Sequence, residues 1–321
     1  MKRILVAIAC LALAAPAWAE KTRRVPVQNS PLAPVVTTIS GSPLTIAIGD
    51  ETSMQVTNTN VPGTGQFYPP DCAAGQTADS GVFLSSGGVV YGPDFNNHPC
   101  GSASNSYTPW APVSLSAVSG TGTAGDPFTV VIVADAVGAQ IRLTETITYV
   151  NGNPGASISL SFAAIAPPGL PAAPTAAFDA FLGGDLYLAD SDSGFGAQVG
   201  NQYGGRGASS ACAPLNYTIL LGGTTAPSKW SATGFGTIWD EISAGDLNDA
   251  VDSTICQDNG AAIEWTGLAT PAAVGTGVSF TGSATPLGAV VPALSAKGLA
   301  ALVLLLAAVG YVLAKRTSLG A

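Results

Sequence analysis

The chain has 321 residues, of which 11 are basic and 20 are acidic, for a formal net charge of −9 at neutral pH. Between residues 25 and 296 there are three bases and nineteen acids, a formal charge of −16. A surface this acidic repels nucleic acids and anionic lipid surfaces, so neither is expected as a partner, whereas cations and neutral glycans are not excluded.

The N-terminus has the pattern of a cleaved secretory signal. A basic start and an apolar run over 4–15, too short to span a bilayer, precede a small-x-small sequence at 17–19. Residues 1–19 are therefore predicted to be a signal peptide that signal peptidase removes. Residues 20–34 are predicted to be an exposed lead-in.

Residues 35–288 form the exported body, and their alternation of Thr, Ser and Val, broken by Gly and Pro about every ten residues, predicts an all-β protein. The clearest strand is 140–150, which a turn at 151–153 connects to a second alternating segment at 156–165 as a hairpin. Further strands are predicted at 43–48, 53–58, 82–91, 112–118, 128–134, 178–188, 217–221, 263–266 and 278–281. One helical turn is predicted within 238–251.

So many short antiparallel strands favour a β-sandwich, because two sheets then bury their inward-facing residues in one core. The body is long enough for one large sandwich or two smaller ones. The Pro-rich segment 166–174 is the candidate boundary between them.

Four cysteines remain after removal of the signal peptide, and an even number in an exported chain predicts disulfides. Three pairings are possible, and we favour the local one, Cys72 with Cys100 and Cys212 with Cys256. Zinc is disfavoured because no two cysteines are close in sequence. His98, the only histidine, lies in a turn-like segment and is interpreted as a loop residue near the surface, not as a catalytic base.

Asp190 and Asp192 precede a glycine with the spacing that begins many calcium-binding loops. The glutamate expected later in such a loop is missing, so further ligands would have to come from elsewhere, for example from Asp240 or Asp258. The simpler interpretation is a turn in which the aspartates cap their own backbone. We therefore expect no cofactor and keep a calcium ion as the alternative.

Aromatic side chains beside carboxylates and amides are a common way for β-sandwiches to bind sugars. Four tryptophans of the body are available for this role: Trp110, Trp230, Trp239 and Trp265. Because large aromatic side chains are more often buried in a core, glycan binding remains a hypothesis at this point.

A glycoside hydrolase would need two carboxylates about 5 to 9 Å apart. Four acids are candidates for such a pair: Asp185, Asp190, Asp192 and Glu264. Acidic residues alone do not define a site, so the sequence favours a protein that is not an enzyme.

The run from 298 to 314 contains no charge and would be roughly 26 Å long as a helix, enough to cross a bilayer core. Lys315 and Arg316 follow it and predict a cytoplasmic tail at 317–321, with the body on the far side of the membrane. The expected fold class is therefore all-β, an antiparallel β-sandwich ectodomain with a C-terminal transmembrane helix.

A short motif precedes this span, and its proline keeps the segment extended and accessible just outside the membrane. The motif residues are Val291, Pro292, Ala293, Leu294, Ser295 and Gly298. With the span and the basic stop, the region 289–316 resembles the IPTL-type, PEP-CTERM-like sorting signal of bacterial exosortase-sorted surface proteins. The resemblance implies an exosortase-type membrane protease as a partner, which cleaves at or near the motif.

These patterns favour an exported structural or adhesive protein that is first anchored in the membrane and then sorted to the cell surface or released. A carbohydrate- or calcium-dependent binding module is the alternative. A secreted glycoside hydrolase is a further one.

Overall fold

The computed structural model describes residues 34–70, 75–98, 107–166 and 175–282. Several predictions concern residues outside these ranges: the signal peptide, nearly all of the lead-in, Cys72, Cys100, most of the Pro-rich segment, the sorting motif, the apolar span and the basic stop. Among the residues described, no helix is both long and apolar enough to cross a bilayer.

Within these ranges the chain forms eighteen strands, one α-helix and two short 3-10 turns, Phe95–Asn97 and Val137–Ala139. The first ten strands are β1 Val36–Ser40, β2 Leu44–Gly49, β3 Met54–Asn58, β4 Ser80–Ser86, β5 Val89–Gly92, β6 Thr108–Pro109, β7 Ala111–Leu115, β8 Phe128–Ala136, β9 Ile141–Tyr149 and β10 Gly155–Ala164. They are followed by β11 Phe178–Asp185, β12 Ser193–Val199, β13 Gln202–Ala208, β14 Pro214–Leu221, β15 Lys229–Gly234, α1 Phe235–Ala244, β16 Ala250–Val251, β17 Gln257–Leu268 and β18 Ala272–Gly282.

Strands β1 to β3 form a small sheet of their own, and the other fifteen strands are linked by hydrogen bonds in the order β6-β5-β4-β11-β17-β12-β13-β14-β18-β10-β9-β8-β7, with β15 and β16 joined to β17. Strand β17 connects two parts of this path: β6, β5, β4 and β11 on one side, and the strands from β12 to β7 on the other. Its first residues, Gln257 and Asp258, pair with β12, and its later residues pair with β11 and β15. Of the pairings described, only β5 with β6 and β15 with β16 are parallel.

One apolar core lies between the two parts. Phe162 of β10 and Phe178 of β11 have ring centroids 5.1 Å apart, and Tyr203 of β13 stacks on Trp230 of β15. Side chains from β1 to β18 join the same cluster of buried residues. The prediction of an all-β, antiparallel body is confirmed.

The hairpin of β9 and β10 is the element that the sequence predicts best. Apolar residues of β9 alternate inward, with Ile141 and Leu143 fully buried, and Gly152 in the turn has a φ of 90°. Strand β8 pairs with the other side of β9, as predicted. The alternation has one exception: Glu145 occupies an inward position of β9 and is 0% exposed.

Helix α1 begins three residues before the predicted helical turn and ends at Ala244. Gly245 ends it with a φ of 75°, and its N–H bonds to the carbonyl oxygens of Glu241 and Ile242. Trp239 and Ile242 pack with Phe181 of β11 in a second cluster of buried residues. The chain then returns through 246–249 to β16, beside β15.

Strands β12 and β13 are rich in glycine and were not predicted. At Gly196 a Cβ atom would lie 2.2 Å from the carbonyl oxygen of Ala232, so only glycine lets β12 come this close to β15. The Gly196 N–H also donates to the Asp252 carbonyl oxygen at 2.8 Å. This close approach brings β12, β15 and the segment after β16 together.

Candidate functional site

The structure separates the four tryptophans of the body into two groups. Trp110, Trp239 and Trp265 are 2%, 0% and 2% exposed, so they belong to the core. Trp230, the second residue of β15, is partly exposed and lies at the rim of the core. Trp230 is therefore the tryptophan of this group that a ligand can reach.

Trp230 is stacked on Tyr203 with ring centroids 4.4 Å apart and an angle of 9° between the planes. Exposed polar groups surround the pair. The Gln198 side-chain amide donates to the Tyr203 hydroxyl at 3.4 Å, and the Trp230 backbone N–H donates to Asp249 Oδ1 at 3.2 Å. Burial and the nearby Asp249 carboxylate raise the pKa of Tyr203, so its hydroxyl stays protonated and can both donate and accept.

Gln198 also lines a groove of about 540 Å³. Neither Trp230 nor Tyr203 is among the lining residues, so Gln198 is the residue that connects the groove to the stack. Four residues of β12 form one wall of the groove, 196–199. The remaining lining residues are Arg206, Thr218, Val251 and Ser253. The groove thus offers an amide, two hydroxyls, a guanidinium and small apolar side chains, the mixture of donors, acceptors and apolar surface with which proteins recognise sugars.

A disulfide joins two segments near the groove. Cys212, in the turn between β13 and β14, is bonded to Cys256, which precedes β17, with a Cα–Cα distance of 5.8 Å. This half of the predicted pairing is confirmed. Because the segment from Asp252 to Cys256 borders the groove at Ser253, the disulfide holds one of its walls against the β13–β14 turn.

The predicted calcium loop is a turn. The Leu188 N–H donates to the Ser191 carbonyl oxygen at 3.1 Å, and Ala189 and Asp190 have φ values of 58° and 67°. Asp190 is exposed and Asp192 is partly buried. Over the described ranges no group of three or more His, Cys, Asp or Glu side chains is placed to hold a metal ion, so these two aspartates do not assemble a calcium site there.

Two of the four acids proposed for a hydrolase, Asp185 and Glu264, lie apart on β11 and β17. Asp185 pairs with Gly260 and Phe181 with Glu264, which places the two acids four residues apart along β17, about 13 Å at 3.3 Å per residue. Burial raises the pKa of Glu264 to about 7, and its Oε2 accepts from the Leu247 N–H at 2.9 Å. Glu264 is 1% exposed, on the face of the sheet that α1 covers, and not in the groove.

His98 is buried, not near the surface, so that prediction is wrong. The residue is 4% exposed, and Nε2 lies 2.5 Å from Glu51 Oε1, to which the Ser53 hydroxyl donates at 2.6 Å. Burial alone lowers the pKa of His98, but the hydrogen bond and charge of Glu51 outweigh it and raise the pKa. In a serine-protease relay the histidine bonds to the serine hydroxyl, whereas here both bond to one carboxylate oxygen.

A second groove, of about 510 Å³, lies over β9, β10 and β18. Its lining consists of small residues, such as Thr146, Ser157, Ser159 and Gly275, with Gln202 at one side. None of its lining residues is aromatic or charged. The groove at β12 is the better candidate, because it combines charge, amide and hydroxyl groups and shares Gln198 with the surroundings of the aromatic stack.

Sequence reasoning missed Gln198, Tyr203 and Arg206, which lie on β12 and β13, two of the strands that it did not predict. It assigned the start of β12 to a calcium loop, because Gly194 fits both a turn and a glycine-rich strand. The segment 202–208 could have indicated the site, because it places Tyr203 and Arg206 among three glycines. The glycines of such a strand offer no side chains for packing, so its polar and aromatic residues contact a neighbouring layer or a ligand instead.

No protein-family model and no curated protein sequence matches the chain. Among solved structures it is similar to a bacterial glucoamylase in complex with acarbose, with 11% identity over 82% of this chain and 35% of that chain and a TM-score of 0.45. A putative aldose 1-epimerase from Escherichia coli K12 is similar with 11% identity over 77% of this chain and 98% of that chain and a TM-score of 0.36. The chain spans about a third of the length of the glucoamylase.

Both similar structures are enzymes by name, which contradicts the expectation that this chain is not an enzyme, and that expectation is withdrawn. At these TM-scores the likeness assigns neither a reaction nor a substrate to the chain. What the chain binds has to be argued from its own groove.

Proposed function

We propose that this chain is an exported carbohydrate-binding protein and that the groove at β12 is its binding site. The observation that carries the proposal is the stack of Trp230 on Tyr203, set at the rim of the core with the exposed amide of Gln198 and the exposed carboxylate of Asp249 beside it. The face of an aromatic ring stacks on the apolar face of a sugar, while an amide donates to and accepts from its hydroxyls and a carboxylate accepts from them.

The test is binding of soluble polysaccharides to protein purified from cells that express the full chain, by affinity electrophoresis and calorimetry. A panel of neutral and acidic polymers identifies the ligand. We expect Trp230→Ala to weaken binding at least tenfold and Trp230→Phe to keep part of it, because phenylalanine retains the stack. Gln198→Ala removes a single hydrogen bond from an exposed position and should weaken binding about fivefold.

Val113→Ala is the matched control, since Val113 is exposed on the distant strand β7. Melting temperatures of all variants separate lost binding from lost folding. The proposal is wrong if no polymer of the panel binds, or if a folded Trp230→Ala variant binds as well as the wild type. We expect a chelator to have no effect, in keeping with a groove that recognises the sugar by its side chains.

We propose further that the body is exported and sorted through its C-terminal signal, so that it displays or releases a glycan-binding surface outside the cell. This part rests on the sequence at both ends of the chain. Mass spectrometry of the mature C-terminus tests it: a break between about 287 and 298, lost when Pro292 and Leu294 are replaced, supports processing. A tail that still ends at Ala321 would leave only a membrane anchor.

A further inference from the structure

The three bases in the described ranges have different surroundings. Arg142 is held by Asp135 through two hydrogen bonds, Nε to Oδ1 at 2.7 Å and Nη2 to Oδ2 at 2.8 Å, and Lys229 is paired with Asp246. Arg206 has no acidic partner within 4.0 Å among the residues that the structure describes. In a segment with a formal charge of −16, this unneutralised guanidinium lines the groove.

Arg206 is held in place by packing. It lies between Phe195 of β12 and Thr218 of β14 in the cross-strand register, and its Cζ is 5.3 Å from the centroid of the Phe195 ring. This cation–π contact orients the planar group without using its N–H donors. The donors of Arg206 therefore remain available to a ligand.

The other polar groups of the groove differ in kind from Arg206. Gln198, Thr218 and Ser253 offer neutral donors and acceptors that suit sugar hydroxyls. Asp252, the acid next to Ser253, accepts a hydrogen bond from the Gln257 side chain at 3.1 Å. Among its lining residues the groove thus has one cationic side chain, Arg206, and no acidic one.

We propose that this groove binds an acidic sugar residue, whose carboxylate is held by Arg206. This inference rests on the proposed function and specifies its ligand class. A guanidinium fork matches the two oxygens of a carboxylate and forms charge-assisted hydrogen bonds with them. Because the rest of the body repels anions, only a ligand that places its carboxylate on Arg206 gains from its charge.

The test compares polygalacturonate with its carboxyl-reduced form, a neutral polymer with the same linkages, at low salt. We expect wild-type protein to bind the acidic polymer about tenfold or more tightly than the reduced one. Arg206→Gln should bind both polymers equally, at the level that the wild type shows for the neutral one. Arg206→Lys keeps the charge but not the fork, so it should keep a smaller preference.

Arg142→Gln is the matched control, because it removes one positive charge from β9, outside the groove, and should leave the preference unchanged. Equal loss in Arg142→Gln and Arg206→Gln would overturn the inference in favour of a general charge effect. Dextran sulfate that competes better than polygalacturonate would overturn the carboxylate assignment. Melting temperatures establish that the Arg206 variants are folded.

Two outcomes separate this inference from the proposed function. If the wild type binds both polymers equally and Trp230→Ala abolishes both, the acidic ligand is wrong and carbohydrate binding stands. If the wild type binds neither these polymers nor any other glycan of the panel, carbohydrate binding itself is wrong, and the inference falls with it.

Discussion

Two regions of this protein pack on the same core in different ways, one through side chains and the other through close backbone contacts. In the hairpin region, β8 to β10, inward apolar residues alternate with outward Thr, Ser and Val over whole strands. In the glycine-rich region, β12 and β13 with β15, glycines replace many of those side chains, and close backbone contacts replace side-chain packing.

The difference bears on which side chains line the groove at β12. At Gly204 a Cβ atom would lie 1.9 Å from the Ile219 carbonyl oxygen, and at Gly196 it would lie 2.2 Å from that of Ala232. Strands that approach so closely leave few side chains at the surface, and those that remain, Gln198 and Arg206 among them, line the groove. The hairpin region also borders a groove, but none of that groove's lining residues is charged or aromatic, whereas the groove of the glycine-rich region is lined by Arg206.

The largest expected effect on stability comes from Glu145, the acidic residue buried on the inner face of the hairpin region. No described residue bonds to either carboxylate oxygen of Glu145, and burial raises its pKa from 4.5 to about 8. Between these values the folded protein keeps a proton that the unfolded chain releases, so stability falls as pH rises and levels off above about pH 8. At 1.36 kcal/mol per pH unit the loss is about 5 kcal/mol.

Urea unfolding at pH 4.5 and pH 8.5 checks this prediction, with Glu145→Gln as the comparison because the amide has nearly the same size and does not titrate. The difference in unfolding free energy between the two proteins should change by about 5 kcal/mol across this range. A difference that is the same at both pH values would show that Glu145 titrates normally and is not enclosed by the core.

Most of the frame of the fold could be predicted from the sequence. Period-two alternation identifies β8, β9 and β10 because each has one buried and one exposed face, and the Asn151-Gly152 turn fixes their pairing. The inward position of Glu145 follows from the same alternation, but a carboxylate is an unexpected core residue, so the pattern alone does not predict its burial. The order of the fifteen linked strands could not be predicted, because it depends on contacts between residues far apart in sequence.

The second effect concerns the disulfide of the glycine-rich region. Cys212 and Cys256 are 44 residues apart, and in the chain-entropy model a closed loop of this size stabilises the fold by about 4 kcal/mol. The double variant Cys212→Ser, Cys256→Ser should lose about that much free energy of unfolding. It should also bind glycan more weakly, because the groove wall at Ser253 is no longer held. A loss below 1 kcal/mol with unchanged binding would contradict both expectations.

Gly196→Ala tests the close approach of β12 and β15 directly. The added methyl group meets backbone atoms, which cannot rotate away, so the strands must separate, and we expect a loss of about 2–3 kcal/mol. Gly125→Ala, before β8, is the control, because a Cβ atom there has no neighbour within 4 Å and should change stability by less than about 0.5 kcal/mol. Thermal unfolding of the two variants measures these two stability changes. If both melt alike, the glycines of β12 are not required for packing.

The site was harder to predict than the fold, for a physical reason. Trp230 was one of four candidate tryptophans, and only burial distinguishes it from the other three. Tyr203 and Arg206 lie among glycines, where strand propensity is weak and neither face has a readable pattern. Arg206 becomes informative only when the structure shows that Arg142 and Lys229 are paired with acids and Arg206 is not.

The smallest expected effect on stability concerns Arg142, the arginine of the hairpin region, whose counterpart in the glycine-rich region is Arg206. Arg142 lies on the outer face of the hairpin region and is 43% exposed, so its pair with Asp135 is screened by solvent. We expect Arg142→Gln to lower the unfolding free energy by less than about 1 kcal/mol, and less still at high salt. Chemical unfolding in low and high salt measures both values. A loss of several kcal/mol would mean that the pair is part of the fold, and Arg142→Gln could not then serve as the neutral control for Arg206.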